Sequence, residues 1–313
     1  MTGYLVRRLV QLIPVVVIVS LVLFLLLRMM PGDPTVSILG PEATGADRAV
    51  LRADLGLDAP LWKQFTDWLG GLVQGDLGSS WLTDEHVGAV ISDRLAATVE
   101  LGLIALLFAV LIGIPTGILA AVRRRTRTDA VLNSGSLAAL STPHFYLAAL
   151  LILVFALWLK ILPPSGFVAF TEDPVENLRH MVLPAVTIGS TIAAVTMRQT
   201  RAALLATFNE DYIRTAEATG LPRRRIVGVY ALRNAIVPVV TVVALQIGAL
   251  MSATVVTETV FTVPGMGTLI VNGIFSRDLP VVQGAVLMVV VFVLLVNLLA
   301  DLVYAWLDPR ITY

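Results

Sequence analysis

The sequence contains no cysteine, only three histidines, and only two lysines (Lys63 and Lys160) among its 22 basic residues. The missing cysteines exclude disulfides, thiolate metal sites and cysteine nucleophiles. Three hydrolase motifs are also absent, namely H-E-x-x-H, G-x-S-x-G and the phosphate-binding loop G-x-x-x-x-G-K-[ST], so the chain does not hydrolyse ATP by that last route. His86, His144 and His180 are scattered, which favours packed or solvated side chains over a metal site. A net charge of zero provides no electrostatic argument for nucleic acid.

Charged residues make up 14% of the chain and hydrophobic residues 57%, with a mean hydropathy of +0.86. A soluble domain of this length cannot cover so much apolar surface, so an all-α integral membrane protein is predicted. The first of its apolar stretches is too long and uniform for a signal-peptide core, and we interpret it as a retained anchor. Six stretches are long enough to span a bilayer: 9–27, 97–122, 134–159, 181–203, 234–257 and 281–306.

Basic residues lie beside alternate loops, which predicts the orientation of the spans. Arginines precede the first span, follow the second and crowd the connection from the fourth to the fifth. The other loops are acidic or mixed. We therefore expect a multi-pass plasma-membrane protein with both termini in the cytoplasm.

The predicted organisation is an anchor helix at 1–30, an extracytoplasmic segment at 31–94, a core of five spans at 95–307 and a cytoplasmic tail at 308–313. Within 31–94, apolar residues at helical spacing follow Pro60 and predict an amphipathic helix. One interpretation is an interfacial helix anchored by Trp62, Trp68 and Trp81. The other is a small subdomain that receives a substrate-delivering protein, and the two are compatible.

Small residues recur every four positions in two spans, at Gly113, Gly117 and Ala121 and again at Ala244, Gly248 and Ser252. Such spacing lets helix backbones approach closely, and we expect it to serve packing inside the chain rather than a subunit interface. Prolines at 14, 115, 143, 184 and 238 fall within spans or near their starts, and Pro14 and Pro115 are candidates for kinks.

Polar residues inside a span are costly and need an explanation. Gln246, Thr254 and Thr257 fall close to one helical face, next to Glu258, and that face is a candidate lining for a translocation path. Asn297 and Asp301 are four residues apart near a predicted span end, where a structural hydrogen bond is expected.

The polar stretch DYIRTAEATGLPRRR, residues 211–225, separates two apolar spans. Asn209 or Asp211 is expected to cap a short helix, and Gly220 to end it in the left-handed conformation. Pro222 then begins a second helix. Ala216 and Ala218 provide a smooth face that suits a groove in a partner protein, whereas an interfacial helix on anionic lipid explains the arginines but not the alanines.

The motif RTAEATG, followed by YALRNAIVP, resembles the coupling loop of permease subunits of bacterial ABC importers. The general pattern E-A-A-x-x-x-G-x9-I-x-L-P aligns Arg214, Thr215 and Ala216 with its first three positions and Gly220 with its glycine. Arg214 and Arg233 depart from it in the way of the dipeptide/oligopeptide branch. Further motifs of that branch occur along nearly the whole chain: PGDP, LGLDAPLWKQF, GDLGSSW, ETVFTVPGMGTL, PVVQG and LVYAWLDPRI.

This resemblance implies a type I ABC importer permease fold with six transmembrane helices in the bacterial inner membrane. It implies a second homologous permease, two ATP-binding-cassette subunits or domains that hold ATP and magnesium, and an extracytoplasmic substrate-binding protein; this chain itself needs no cofactor. Within the loop at 209–233, coupling to the ATPase is assigned to Asp211, Tyr212, Arg214, Thr215, Ala216, Ala218, Gly220 and Arg233.

Di- or oligopeptides are the expected substrate, with nickel, glutathione or another ligand as alternatives within the same family. Two other classes of function stay open, a stand-alone secondary transporter and an intramembrane enzyme. The sequence shows neither a clear inverted repeat of broken helices nor a nucleophile-base pair to support them.

Overall fold

The computed structural model describes residues 2–29 and 32–307. The predicted tail at 308–313, Pro31 of the PGDP motif and the side chains of Ser252 and Asp301 lie outside the described residues. The described chain is helical apart from short loops and one isolated bridge between Ser79 and His86. It forms two compact units: residues 1–97 with 264–294, and residues 98–263 with 295–313.

Thirteen α-helices are described in chain order, and two of them adjoin a π-helix, Ile152–Trp158 after α7 and Ile226–Ala231 after α10. The α-helices are α1 Thr2–Met29, α2 Pro34–Leu39, α3 Gly45–Asp54, α4 Leu61–Val73, α5 Val87–Val122, α6 Arg127–Ser141, α7 His144–Leu151, α8 Pro174–Thr207, α9 Asp211–Ala218, α10 Arg223–Arg225, α11 Leu232–Phe261, α12 Met266–Ser276 and α13 Leu279–Leu307.

Among the described residues, five helical segments are long and apolar enough to cross a membrane, and two bent helix pairs raise the number to as many as seven. The five are Val10–Met29, Val87–Val122, Pro174–Thr207, Arg223–Gly248 and Leu279–Leu299. Each overlaps a predicted span. The all-α membrane architecture is therefore confirmed.

The predicted continuous span at 134–159 is wrong in its shape. Helices α6 and α7 meet at a bend of 109° between Ser141 and His144. Pro143 lacks a backbone N–H and disfavours helical geometry at Thr142, whose ψ is 122°. Pro143 therefore breaks the apolar stretch, although only Pro14 and Pro115 were predicted as candidates for kinks.

In the first unit, α4 begins directly after Pro60, as apolar periodicity predicts, and it continues to Val73. Phe65 and Trp68 of α4 pack on the buried ring of Phe24 in α1, with ring centroids 5.4 and 6.2 Å from it. Trp68 thus packs on Phe24, whereas Trp62 is 69% exposed.

The loop before α5 is tied to the turn before α13. The Ser80 hydroxyl donates a hydrogen bond to the Asp278 carboxylate at 2.5 Å, and the Trp81 backbone N–H donates to the same carboxylate at 3.2 Å. A buried cluster of Val87, Ile91, Met266, Val281 and Ala285 lies beside it.

In the second unit, the small residues of α5 serve packing inside the chain, as predicted. A Cβ added to Gly113 would come within 2.8 Å of the Ala193 carbonyl oxygen, and one added to Gly117 within 2.6 Å of the Met197 carbonyl oxygen. The backbones of α5 and α8 approach too closely for any larger side chain. In the other stripe, a Cβ added to Gly248 would come within 3.1 Å of the Asn297 side-chain Oδ1.

Candidate functional site

Helix α9 occupies the stretch in which a short polar helix was predicted. It ends before Gly220, whose φ of +75° confirms the expected left-handed conformation. The predicted side-chain cap is wrong, because the helix starts after Glu210 with no side-chain hydrogen bond. Asn209 instead donates to the Leu205 carbonyl oxygen at the end of α8, at 3.0 Å.

One face of α9 is buried against its own chain. Ile213 is 1% exposed and Ala216 is 6% exposed. The interpretation of Ala216 as part of a smooth outward face is therefore wrong. These two side chains form one cluster with residues from the ends of α5, α8 and α11 and from the π-helix after α10: Ala121, Leu204, Ala235, Ile226 and Ala231.

The opposite face of α9 is open. The Arg214 side chain forms an exposed ion pair of 3.4 Å with Asp211 of its own helix, which contributes little to stability. The remaining predicted coupling residues share this exposure, and they are Tyr212, Thr215, Ala218, Gly220 and Arg233. Helix α9 thus presents a small polar surface while its other side is held by four chain segments.

A hydrogen bond adds to this attachment. The Asn234 side-chain amide donates to the Tyr212 hydroxyl at 2.7 Å, joining α9 to the start of α11. Sequence reasoning passed over both Asn234 and Ile213. The spacing of Ile213 and Ala216, three residues apart within a polar helix, was the available signal for a buried face.

A second polar contact joins α8 to α6. Arg201 of α8 donates two hydrogen bonds to the Asp129 carboxylate of α6, at 2.8 and 2.9 Å. Asp129 also accepts from the Asn133 side chain at 2.6 Å. Arg201 is one of the arginines that predict orientation at the connection from the fourth to the fifth span, but its partner lies 72 residues away and leaves no local signal.

The residues predicted to line a path are mostly enclosed. Thr254 is 1% exposed and Glu258 is fully buried, so neither faces an open surface in this conformation. The Thr98 hydroxyl donates to the Glu258 carboxylate at 2.6 Å. Packing inside the chain accounts for these two side chains, whereas Gln246 is partly exposed and remains a candidate for the path.

The histidines engage in local contacts. The Nδ1 atom of His180 lies 2.9 Å from the Glu176 carbonyl oxygen, and Nε2 of His144 lies 3.3 Å from the Thr191 hydroxyl. Within the described part of the chain, no three His, Asp or Glu side chains come close enough to hold a metal ion.

Comparison with known proteins agrees with this architecture along the whole chain. The dipeptide transport permease DppB and the glutathione transport permease GsiC, both of Escherichia coli K12, are each 39% identical to this chain. The alignments cover 100% of this chain and 99% and 100% of the relatives, respectively. An inward-facing structure of the MetNI methionine ABC transporter shares the fold over 70% of this chain and 96% of the matched chain, with a TM-score of 0.56 at 17% identity.

Residues 1–102 match the family of N-terminal membrane components of binding-protein-dependent transport systems. Residues 113–313 match the family described as the inner membrane component of such systems. The predicted family and the type I importer permease fold are thereby confirmed. The chain belongs to the binding-protein-dependent transport system inner membrane component family.

Proposed function

We propose that this chain is the permease of an ATP-driven importer for dipeptides. The substrate assignment rests on the 39% identity to a dipeptide permease over the full length of this chain. Glutathione is the alternative, because a glutathione permease is equally similar over the same extent. Glutathione is itself a small peptide, so both assignments call for a path that accepts a peptide backbone.

The geometry of α9 supports a role in coupling. Its exposed face offers Arg214, Thr215 and Ala218 to an ATPase subunit, while Ile213 and Ala216 hold its other face in the buried cluster. Because that cluster includes the ends of α5, α8 and α11, a push on α9 is passed to three long helices at once. When the ATPase subunits close on ATP, the movement of α9 thus switches access to the translocation path from one side of the membrane to the other.

The wider assembly follows from the same proposal. Two ATPase subunits or domains hold ATP and magnesium, a second homologous permease completes the path, and an extracytoplasmic binding protein delivers the peptide to the side that bears 31–94. Both termini of this chain lie in the cytoplasm, supported by the arginines beside alternate loops.

Uptake of labelled dialanine and of labelled glutathione, measured in a strain that lacks its own transporters and expresses the complete system, tests the substrate. Saturable dipeptide uptake that requires ATP supports the proposal. Uptake of glutathione alone transfers the assignment to the alternative. Uptake by this chain without any ATPase contradicts the proposal and favours a secondary transporter.

A further inference from the structure

A cavity of about 270 Å³ lies within the first unit, where α1 ends and α13 begins. Its lining includes Arg28, Asp67, Trp68, Asp76, Trp81 and Gln283. Ligand pockets that enclose a whole small molecule usually measure about 300–1,000 Å³. This cavity therefore suits one polar end of a larger molecule.

Three hydrogen-bond donors at this cavity lack an acceptor. They are Nε of Arg28, Nε1 of Trp68 and Nε2 of Gln283, all of them buried and without a partner among the described residues. Gln283 is only 5% exposed. Buried donors without acceptors are rare because their desolvation is uncompensated, so three in one cavity indicate a ligand that brings acceptor oxygens.

Two of the three donors, on Arg28 and Trp68, share a common support. The ring of Phe24, itself 1% exposed, stacks with the Trp68 indole and lies 5.3 Å from the Arg28 guanidinium carbon. This shared contact positions a cation and an indole N–H before any ligand arrives, and such preorganisation lowers the cost of binding.

The carboxylates of the lining are placed differently from the donors. Asp67 and Asp76 are exposed, and Asp76 accepts a hydrogen bond from the Gly78 backbone N–H at 2.8 Å. The cavity thus has buried donors inside and acidic groups toward solvent. That arrangement complements a zwitterion whose anionic oxygens enter first and whose ammonium group stays outermost.

The position of the cavity points to the membrane as the source of the ligand. Arg28 is the penultimate residue of a candidate span, and Gln283 is in the first turns of another. Leu25, Leu26 and Met29 beside Arg28 are apolar and 41%, 58% and 78% exposed. An arginine at a span end lies at headgroup depth, and the exposed apolar surface suits acyl chains.

We propose that this cavity binds the phosphoethanolamine headgroup of a membrane phospholipid. The phosphate oxygens accept hydrogen bonds from Arg28, Trp68 and Gln283, and the ammonium group lies beside Asp67 and Asp76. The lipid would fix the end of α1 to the start of α13.

Native mass spectrometry of the full chain in detergent tests this, with phosphatidylethanolamine titrated against wild type and a Trp68→Phe/Gln283→Leu variant. The two substitutions remove two donors; Trp68→Phe keeps an aromatic ring beside Phe24, and Gln283→Leu keeps a side chain of similar size. Trp62→Phe, on the same helix but away from the cavity, is the matched control. We expect the double variant to bind about tenfold more weakly, and the control to bind like wild type.

Headgroup preference provides a second measurement that needs no variant. Wild type should bind phosphatidylethanolamine more tightly than phosphatidylglycerol, because the latter brings no ammonium group for the two carboxylates. Equal binding of both lipids, unchanged binding by the double variant, or retention of water alone would overturn the proposal. Displacement of the lipid by inorganic phosphate or by dialanine at similar concentration would also overturn it, by identifying a free anion or a peptide as the occupant.

Discussion

Arg201 and Asp129 form a two-point ion pair that joins α8 to α6, with N···O distances of 2.8 and 2.9 Å. The Asp129 side chain is 8% exposed and the Arg201 side chain 26% exposed. In burial, the pair is therefore intermediate between two kinds of salt bridge. A surface salt bridge contributes about 0–1 kcal/mol, whereas disruption of a buried one costs about 3–5 kcal/mol.

Replacing Arg201 by methionine should destabilise the protein by roughly 2 kcal/mol, because it leaves the Asp129 carboxylate enclosed without its cation. The measurement is the thermal midpoint in detergent. Arg198→Met on the same helix is the control, since Arg198 is exposed. Equal midpoints for the two variants would show that the pair does not hold α6 to α8.

Gly220 is limited by its backbone rather than by space. A Cβ there meets no atom within 4 Å, yet its φ is +75°. Gly220→Ala should therefore destabilise the end of α9 by about 1–2 kcal/mol, and Gly220→Asn by less, because asparagine adopts the left-handed conformation more readily. Hydrogen exchange of the α9 amides measures the effect.

Gly228→Ala is the matched control for this series, because Gly228 also has free space around its Cβ but no positive φ. If asparagine at 220 loosens α9 as much as alanine does, the backbone explanation is wrong.

Thr98 tests whether Glu258 serves packing or transport. Thr98→Val removes the donor at almost constant shape, and a typical hydrogen bond contributes about 0.5–1.5 kcal/mol to stability. We expect a lower thermal midpoint, whereas Thr259→Val, at an exposed site, should leave the midpoint unchanged. An unchanged midpoint for Thr98→Val with altered uptake kinetics would instead favour a path role for Glu258.

Asp33 links stability to pH in the segment before α2. Burial alone would raise its pKa, but hydrogen bonds from Thr35 and Arg52 outweigh burial, and the pKa of Asp33 lies below its usual value. A carboxyl group whose pKa is lower in the folded than in the unfolded chain stabilises the fold when the pH is above the unfolded pKa of about 4. This contribution is lost as the pH falls through the folded-state pKa.

Asp33→Asn should thus lower the thermal midpoint at neutral pH, and the difference from wild type should shrink below about pH 4. Midpoints recorded across pH for both proteins measure this. Asp54→Asn, at an exposed carboxylate on α3, is the comparison. A difference that grows on acidification would contradict the assignment.

Local signals were sufficient where a proline or a glycine marks the end of a helix. Apolar periodicity after Pro60 predicted α4, and the glycine at 220 marked the end of α9. The spacing of Gly113 and Gly117 predicted close packing, which the approach of α8 confirms. The signal for each of these features lies within a few residues of sequence, and so the sequence displays it directly.

Features that depend on distant neighbours were missed. The prediction that Ala216 faces outward was wrong because the buried side of this short helix is set by its contacts with α5, α8 and α11. Arg201 has its partner far away in sequence, and Thr254 and Glu258 were enclosed by helix packing that spacing alone does not reveal. Hydropathy likewise does not reveal the bend between α6 and α7, because Pro143 interrupts the helix without making the stretch less apolar.

The central claim is that the exposed face of α9 binds an ATPase subunit. The direct measurement compares, by affinity purification from solubilised membranes, the proteins that accompany wild type, Ala218→Arg and Ala130→Arg. Both alanines are exposed on helices, so neither substitution strains the backbone, and Ala130 lies on α6 outside the coupling loop. The account predicts that Ala218→Arg alone loses the ATPase subunits while keeping its partner permease. Retention of the ATPase by Ala218→Arg at the wild-type level would contradict it.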